Sequence, residues 1–80
     1  MSSELAVRLR DEAKSRGAIA PSAFRVMVLE ADLALTHRDF ASREDAIRYA
    51  NDAASEADGN PPIAYVFDYR LEAIHRGRHF

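Results

Sequence analysis

The chain has 80 residues, a formal net charge of −2 and no cysteine. This length predicts one small domain, residues 1–80, with a core so modest that a partner chain would add stability. The lack of cysteine excludes disulfide frameworks, thiolate zinc sites and cysteine nucleophiles. The nearly balanced charge argues against a protein built mainly to neutralise phosphate groups.

Cellular location and origin are also predicted from composition. No apolar run approaches the roughly 18–20 residues that a membrane helix needs, and the first residues lack the charged-then-apolar order of a signal peptide. We therefore expect a cytoplasmic protein with no membrane partner. Lys14 is the only lysine among 11 basic residues, and alanine is abundant. This bias is typical of GC-rich bacterial genomes, so we expect a bacterial source.

The first predicted element is an amphipathic helix over about residues 3–16. Ser2 or Ser3 can cap its first turn, and Gly17 can end it in a left-handed conformation. Its apolar stripe is thin and consists of Leu5, Leu9 and Ala13. Because so little apolar area is available for packing, we expect this N-terminal helix to be lightly attached.

From Phe24 the apolar residues recur with a period of two, which predicts a β-hairpin. We pair Val28 with Leu33, which leaves a four-residue connection. This register sets Phe24 opposite His37 and places the large side chains on one face.

The second predicted helix begins at Ser42, a capping residue with acidic residues in the turn that follows it. Gly59, followed by two prolines after Asn60, is expected to end it. One face is lined by alanine, at positions Ala46, Ala50, Ala53 and Ala57. Such a face implies close packing on a sheet.

A second hairpin is predicted from Ile63 to His75, with a connection at residues 68–70. The element order αββαββ predicts an α+β fold: a four-stranded, antiparallel-rich sheet with the central helix packed on one face. Because that helix must run back over the sheet, we expect the third strand to begin near the first hairpin turn, parallel to the second strand.

Three regions follow from this layout. Residues 1–17 hold the N-terminal helix, residues 24–76 form the ββαββ core and residues 77–80 form a basic tail. We expect the tail to lie near acidic residues at the end of the central helix, among them Glu56 and Asp58. The core resembles small bacterial ββαββ domains, a resemblance that implies no catalytic residue.

We expect a set of large side chains to be buried together under the central helix, namely Phe24, Val26, Leu35, Ile47, Tyr65, Phe67 and Leu71. The other face of the sheet then carries Met27, Leu29, Val66 and Ile74. An apolar face of this kind needs a cover and often marks an interface. We predict that these four residues form a homodimer interface, with the first helix packed in cis or exchanged between subunits as the alternative.

The histidines are the first candidates for a chemical site, because neutral imidazole binds metals. His75 and His79 are four apart, a spacing that spans about 13 Å in an extended chain and is too long for one metal ion. We expect His37 and His75 to lie at opposite ends of the sheet. The sequence therefore predicts neither a metal site nor a cofactor.

Motifs for catalysis are missing from the sequence. It contains no GxSxG, HExxH or glycine-rich phosphate loop. Acid pairs such as Glu30 with Asp32 are more typical of a polar turn than of acid and base catalysis. A core this small also leaves little room for a substrate cleft, so we predict that the protein is not an enzyme.

Arginine is the one argument for nucleic-acid binding. Candidate contacts are Arg25, Arg38, Arg43, Arg70 and the tail residues Arg76, Arg78 and His79, with Tyr65, Tyr69 and Phe80 available for stacking. The layout divides these side chains between two ends of the sheet, beside acidic residues, so internal charge compensation is the simpler interpretation. We therefore do not expect nucleic acid as a partner.

Taken together, these features predict a small non-enzymatic protein that self-associates and binds another protein through a sheet edge or an apolar outer face. The alternative is a nucleic-acid-associated regulatory protein that uses arginine-rich sheet ends.

Overall fold

A computed structural model describes residues 4–30, 32–55 and 62–77. Within these ranges two helices and four strands follow one another in the predicted order, and the α+β class is confirmed. The elements are α1 (Glu4–Ser15), β1 (Phe24–Leu29), β2 (Leu35–Phe40), α2 (Arg43–Ala54), β3 (Ile63–Phe67) and β4 (Ala73–Arg76).

The strands form one antiparallel sheet with the order β2-β1-β3-β4. β1 and β3 occupy the centre, and β2 and β4 are the edges. Ile63 pairs with Leu29, so β3 begins beside the first hairpin turn and runs in the same direction as β2. This orientation is the one that the sequence predicted.

α2 covers one face of the sheet. The Ser42 hydroxyl accepts a hydrogen bond from the Asp45 amide at 3.4 Å, which confirms the predicted cap. Fully buried alanines of α2 pack on small residues of the central strands, and this cluster holds Ala46, Ala50, Ala54, Val26, Val28, Ala64 and Val66. α2 ends at Ala54, before the predicted end at Gly59, which lies outside the described residues.

α1 covers the opposite face. Its buried residues Leu9 and Ala13 pack on Met27, Tyr65 and Phe67 of the central strands. Gly17 follows the helix with a φ of 109°, the left-handed conformation expected of a residue that ends a helix. The predicted caps Ser2 and Ser3 lie outside the described residues.

The prediction that one core under α2 holds all the large side chains is wrong. Phe24, Val26 and Ile47 do lie on the α2 side. The α1 side instead holds Leu35, Tyr65, Phe67 and Leu71. Because α2 presents alanine, it approaches the sheet closely, and only small side chains of β3 such as Ala64 and Val66 fit beneath it. The larger rings of β3 fill the space under α1.

The prediction that Met27, Leu29, Val66 and Ile74 share one outward face is also wrong, because the four residues lie on opposite faces of the sheet. Met27 and Leu29 do lie opposite α2, but α1 covers them, and Met27 is 0% exposed. Val66 is also 0% exposed and, like Ile74, packs on the α2 side. These residues no longer suggest a binding surface.

The register of the first hairpin also differs from the prediction, by three residues. Val28 pairs with Thr36, and Phe24 pairs with Phe40. The turn lies further along the chain than predicted because Leu33 belongs to it, with a φ of 69°. This left-handed position usually holds glycine or asparagine, so a leucine there conceals the turn from sequence analysis.

The two hairpin turns have the same hydrogen-bond pattern. In the first, the Glu30 amide donates to Ala34 O at 2.8 Å and the Leu33 amide donates to Glu30 O at 2.9 Å. In the second, residues 68 and 72 take the places of 30 and 34, and Leu71 has a φ of 61°. The predicted strand start at Leu71 is therefore wrong, because this residue belongs to the turn and β4 begins at Ala73.

Candidate protein-interaction edge

β2 is an edge strand that both helices leave exposed. Its four central residues are all exposed, namely Thr36, His37, Arg38 and Asp39. The opposite edge, β4, has only four residues. A free edge presents unpaired N–H and C=O groups that can pair with another strand. β2 is therefore the longer of the two edges available for such pairing.

Alternate residues of β2 direct their backbone N–H and C=O groups to solvent. The Glu30–Ala34 pair carries a cross-strand hydrogen bond. Because hydrogen-bonded and non-hydrogen-bonded pairs alternate along an antiparallel ladder, Thr36 and Arg38 direct their backbone groups toward β1. The residues that direct theirs away from the sheet are Leu35, His37 and Asp39.

On the α1 side of this edge, Arg16 contacts two of these outward residues. Arg16 Nη2 donates to Leu35 O at 3.2 Å, as an outward carbonyl allows. Arg16 Nη1 lies 2.9 Å from His37 Nδ1. Because a guanidinium can only donate, Nδ1 is the acceptor and the ring proton is assigned to Nε2.

Arg25 fastens the edge strand and α1 to the centre of the sheet. Arg25 Nε and Nη2 donate to the two carboxylate oxygens of Asp39, at 2.7 and 3.0 Å. Arg25 Nη1 donates to Ala13 O and Gly17 O, both at 2.7 Å, at the end of α1. Arg25 is 4% exposed, so its prediction as an outward nucleic-acid contact is wrong.

The Arg25 side chain also sets the ionisation of its partner. Its hydrogen bonds hold the pKa of Asp39 below the ordinary value, although partial burial acts in the opposite direction. The pKa of Arg25 is raised by the same hydrogen bonds. Both groups therefore stay charged, and the pair keeps β2 fixed in place.

On the α2 side, the edge carries an arginine beside two aromatic rings. The Arg38 guanidinium carbon lies 5.4 Å from the centre of the Phe40 ring and 5.6 Å from the Tyr49 ring. The two rings lie 5.2 Å apart, and both residues are half-buried. Tyrosine and arginine are enriched among the residues that dominate binding energy at protein interfaces.

The two described histidines do not lie at opposite ends of the sheet, as the sequence predicted. His37 pairs with Met27, and His75 pairs with Val66. Because Val66 pairs with Val26, the two histidines are only one residue apart in their level along the sheet. They lie instead on opposite edges and opposite faces. His75 Nε2 lies 2.9 Å from Asn51 Oδ1, so this ring joins β4 to α2. The error follows from the wrong register of both hairpins.

The predicted basic tail is described only at its start. Arg76 lies over the Tyr65 ring, at 5.6 Å from its centre. Gly77 is buried against the second half of α2, and its amide donates to Ala64 O at 2.7 Å. Arg78 and His79 lie outside the described residues, as do the acidic Glu56 and Asp58.

Arg70, another arginine of the candidate nucleic-acid set, is compensated by two acids. Arg70 Nη2 lies 3.3 Å from a carboxylate oxygen of Asp68 and 3.3 Å from one of Glu72. Burial raises the pKa of Asp68, but hydrogen bonds from the Glu72 and Arg70 amides and the Arg70 side chain outweigh it and lower the pKa. This turn is an ion-paired structure.

Within residues 4–30, 32–55 and 62–77, no three histidine or acidic side chains are grouped so that they could hold a metal ion. No helix in this part of the chain has the length and apolar character needed to cross a membrane. No protein-family model, curated protein or solved structure matches the chain. The geometry of the β2 edge is therefore the only basis for proposing a function.

Proposed function

We propose that the protein is a non-enzymatic protein-interaction module that adds an extended segment of a partner polypeptide to the free edge of β2. The observation that carries this proposal is the row of outward backbone groups at Leu35, His37 and Asp39. In strand addition, main-chain hydrogen bonds supply affinity and the flanking side chains supply specificity. The edge of β2 offers both.

The surroundings of the edge support this use. α1 and α2 cover the two faces of the sheet, so a partner meets the sheet at an edge. The Arg25–Asp39 pair holds β2 in place before binding, and a strand that is already ordered loses less entropy when it binds. Arg38, Phe40 and Tyr49 provide side chains suited to an interface.

The cavity between α1 and the second hairpin is not built like a catalytic cleft, whereas a larger depression of about 510 Å³ lies along the exposed face of α1. The cavity between α1 and the second hairpin has a volume of about 240 Å³, below the range of about 300–1,000 Å³ that is usual for ligand sites. Its apolar lining includes Phe67 and Leu71, and its charged groups are Arg10 and Glu72. This lining offers no nucleophile for covalent catalysis.

Affinity isolation from the source organism tests the proposal with two proline variants. His37→Pro removes an outward N–H from the edge of β2 and leaves the β1–β2 hydrogen bonds in place. Arg76→Pro is the matched control, because the Gly77–Ala64 hydrogen bond makes Arg76 an outward residue of β4. Both variants place proline at an edge position that bonds no other strand of the sheet.

We expect a specific protein to be retained by the parent and by Arg76→Pro and lost with His37→Pro. Circular dichroism must show that both variants are folded, and Leu35→Pro, at another outward position and at the first residue of β2, replaces His37→Pro if it is not. Equal capture by all three proteins would contradict the proposal.

The same preparations test the alternative, a nucleic-acid-associated regulator, which rests on Arg38 beside Phe40 and Tyr49. Binding to mixed DNA or RNA that weakens steeply with salt and is lost with Arg38→Gln would support the alternative against strand addition. We expect no such binding at low salt.

A further inference from the structure

We infer that the segment that pairs with β2 is β2 of a second copy of this chain, antiparallel and two-fold symmetric, with His37 at the axis. This inference rests on the proposed function of the edge and names its partner. In this arrangement the two sheets join into one sheet of eight strands. Every outward residue of one strand faces an outward residue of the other.

The charges along β2 select this register. With His37 on the axis, Thr36 lies opposite the partner's Arg38, and Leu35 lies opposite the partner's Asp39. A shift that moves the axis to Arg38 places two arginines directly opposite each other, which is destabilising. A shift the other way, to Thr36, moves Asp39 beyond the end of the partner's β2. The axis at His37 is therefore the favoured position.

Two polar contacts complement each other across this axis. Arg16 binds Leu35 O and His37 Nδ1, so its guanidinium lies where the partner's Asp39 arrives. Asp39 keeps 43% of its side chain exposed despite its pair with Arg25, and a carboxylate accepts several hydrogen bonds. At the axis, the His37 ring of each copy is already in contact with its own Arg16. The interface thus joins opposite charges and avoids like charges.

Leu33 gives an independent reason for a partner at this edge. It is a large apolar residue, 74% exposed, in a left-handed conformation with a φ of 69°. Leu71 has the same conformation but packs on the α1 side, whereas Leu33 gains no such burial within one chain. Strained exposed residues are often kept for function. In the proposed dimer the turn that holds Leu33 lies beside the end of the partner's β2.

Sedimentation velocity across a wide concentration range tests the identity of the partner. We expect the parent and Arg76→Pro to reach a mass near twice 8.9 kDa and His37→Pro to stay a monomer. A parent that is monomeric at millimolar concentration would overturn this inference. The proposed function would survive that result if affinity isolation still showed capture of another protein that His37→Pro abolishes.

Disulfide cross-linking tests the register, because the chain contains no cysteine of its own. Residues opposite each other in a hydrogen-bonded antiparallel pair have Cα atoms about 5.5 Å apart, within disulfide range. We expect His37→Cys to form a covalent dimer on mild oxidation and Arg38→Cys to remain reduced. The reverse result would move the axis and overturn the register.

Leu33 and Arg16 are tested by dimer dissociation constants. We expect Leu33→Gly to weaken the dimer about tenfold while it raises the melting temperature of the monomer, since glycine relieves the left-handed strain. Arg16→Gln is also expected to weaken the dimer, with less weakening at high salt. Unchanged dissociation constants for both variants, with His37→Pro still monomeric, would overturn this arrangement and leave strand addition intact.

Discussion

Arg25 of the central strand β1 donates two hydrogen bonds, of 2.7 and 3.0 Å, to the carboxylate of Asp39 on the edge strand β2. The same guanidinium donates to Ala13 O and Gly17 O where α1 ends. One buried side chain thus joins the N-terminal helix, the centre of the sheet and the strand that we propose as the binding edge.

Replacement of Arg25 by methionine is expected to destabilise the protein strongly. Arg25→Met removes the hydrogen bonds that Arg25 donates to the Asp39 carboxylate and to the Ala13 and Gly17 carbonyls, and we expect a loss of about 2–4 kcal/mol in the free energy of unfolding. Urea denaturation followed by circular dichroism measures it. Arg8→Met, at an exposed position of α1, is the control and should change stability by about 0.5 kcal/mol or less. Equal effects of the two variants would refute this role for Arg25.

Stability is expected to fall in acid partly through Asp39. Its pKa is lowered in the folded state by the hydrogen bonds of Arg25, from an ordinary value of 3.8. The unfolded chain therefore takes up the proton first as pH falls. The stability that the pair contributes is complete above about pH 5 and is lost as pH drops through the lowered folded pKa.

Asp39→Asn removes this titration, so its stability should change less between pH 5 and pH 2 than that of the parent. Some acid sensitivity should remain, because the pKa of Asp68 is also lowered. Thermal melts across this range measure the difference. Identical pH profiles for parent and variant would show that the pair does not titrate as described.

Gly77 is expected to tolerate no side chain. A Cβ there would lie 2.5 Å from Ala50 O and 3.1 Å from the Ala54 Cβ, and the helix backbone cannot move aside cheaply. We expect Gly77→Ala to cost about 1–3 kcal/mol, the range for an overpacked core. A melting temperature equal to that of the parent would show that β4 does not pack against α2 this closely.

The two left-handed leucines should respond in opposite ways to glycine. Leu33→Gly is expected to stabilise the monomer by about 0.5–1 kcal/mol, because glycine adopts this conformation without strain. Leu71→Gly should destabilise it, since Leu71 also packs against the α1 side of the sheet. Chemical denaturation at micromolar concentration compares the two variants. Stabilisation by both would mean that the packing of Leu71 contributes little.

The helix α2 and the direction of β3 could be predicted because each depended on local patterns. Ser42 is a capping residue, and the alanines at positions 46, 50 and 54 define a buried face. The short path over the sheet then fixed where β3 begins. These inferences required only the chemistry of one helix and the length of its connections.

The faces of the sheet could not be assigned in the same way. Both alternating sets of β3 are apolar, so the period of two does not show which set meets α2. Leu33 occupies a turn position where glycine is usual. The turn was therefore not recognised, and the predicted register was wrong by three residues. Arg25 looked like a surface residue because its partner Asp39 lies on another strand. The position of Arg25 on a strand that is otherwise apolar on both faces was the one indication that it is buried and has a partner.

Amide hydrogen exchange, measured residue by residue with NMR spectroscopy at increasing protein concentration, tests self-association through the β2 edge most directly. In the monomer, the amides of Thr36 and Arg38 bond β1 and those of His37 and Asp39 face solvent. We expect exchange at His37 and Asp39 to slow as concentration rises, while Arg76 on the other edge stays unchanged. Rapid exchange at His37 and Asp39 up to millimolar concentration, or protection at Arg76 instead, would contradict self-association through the β2 edge.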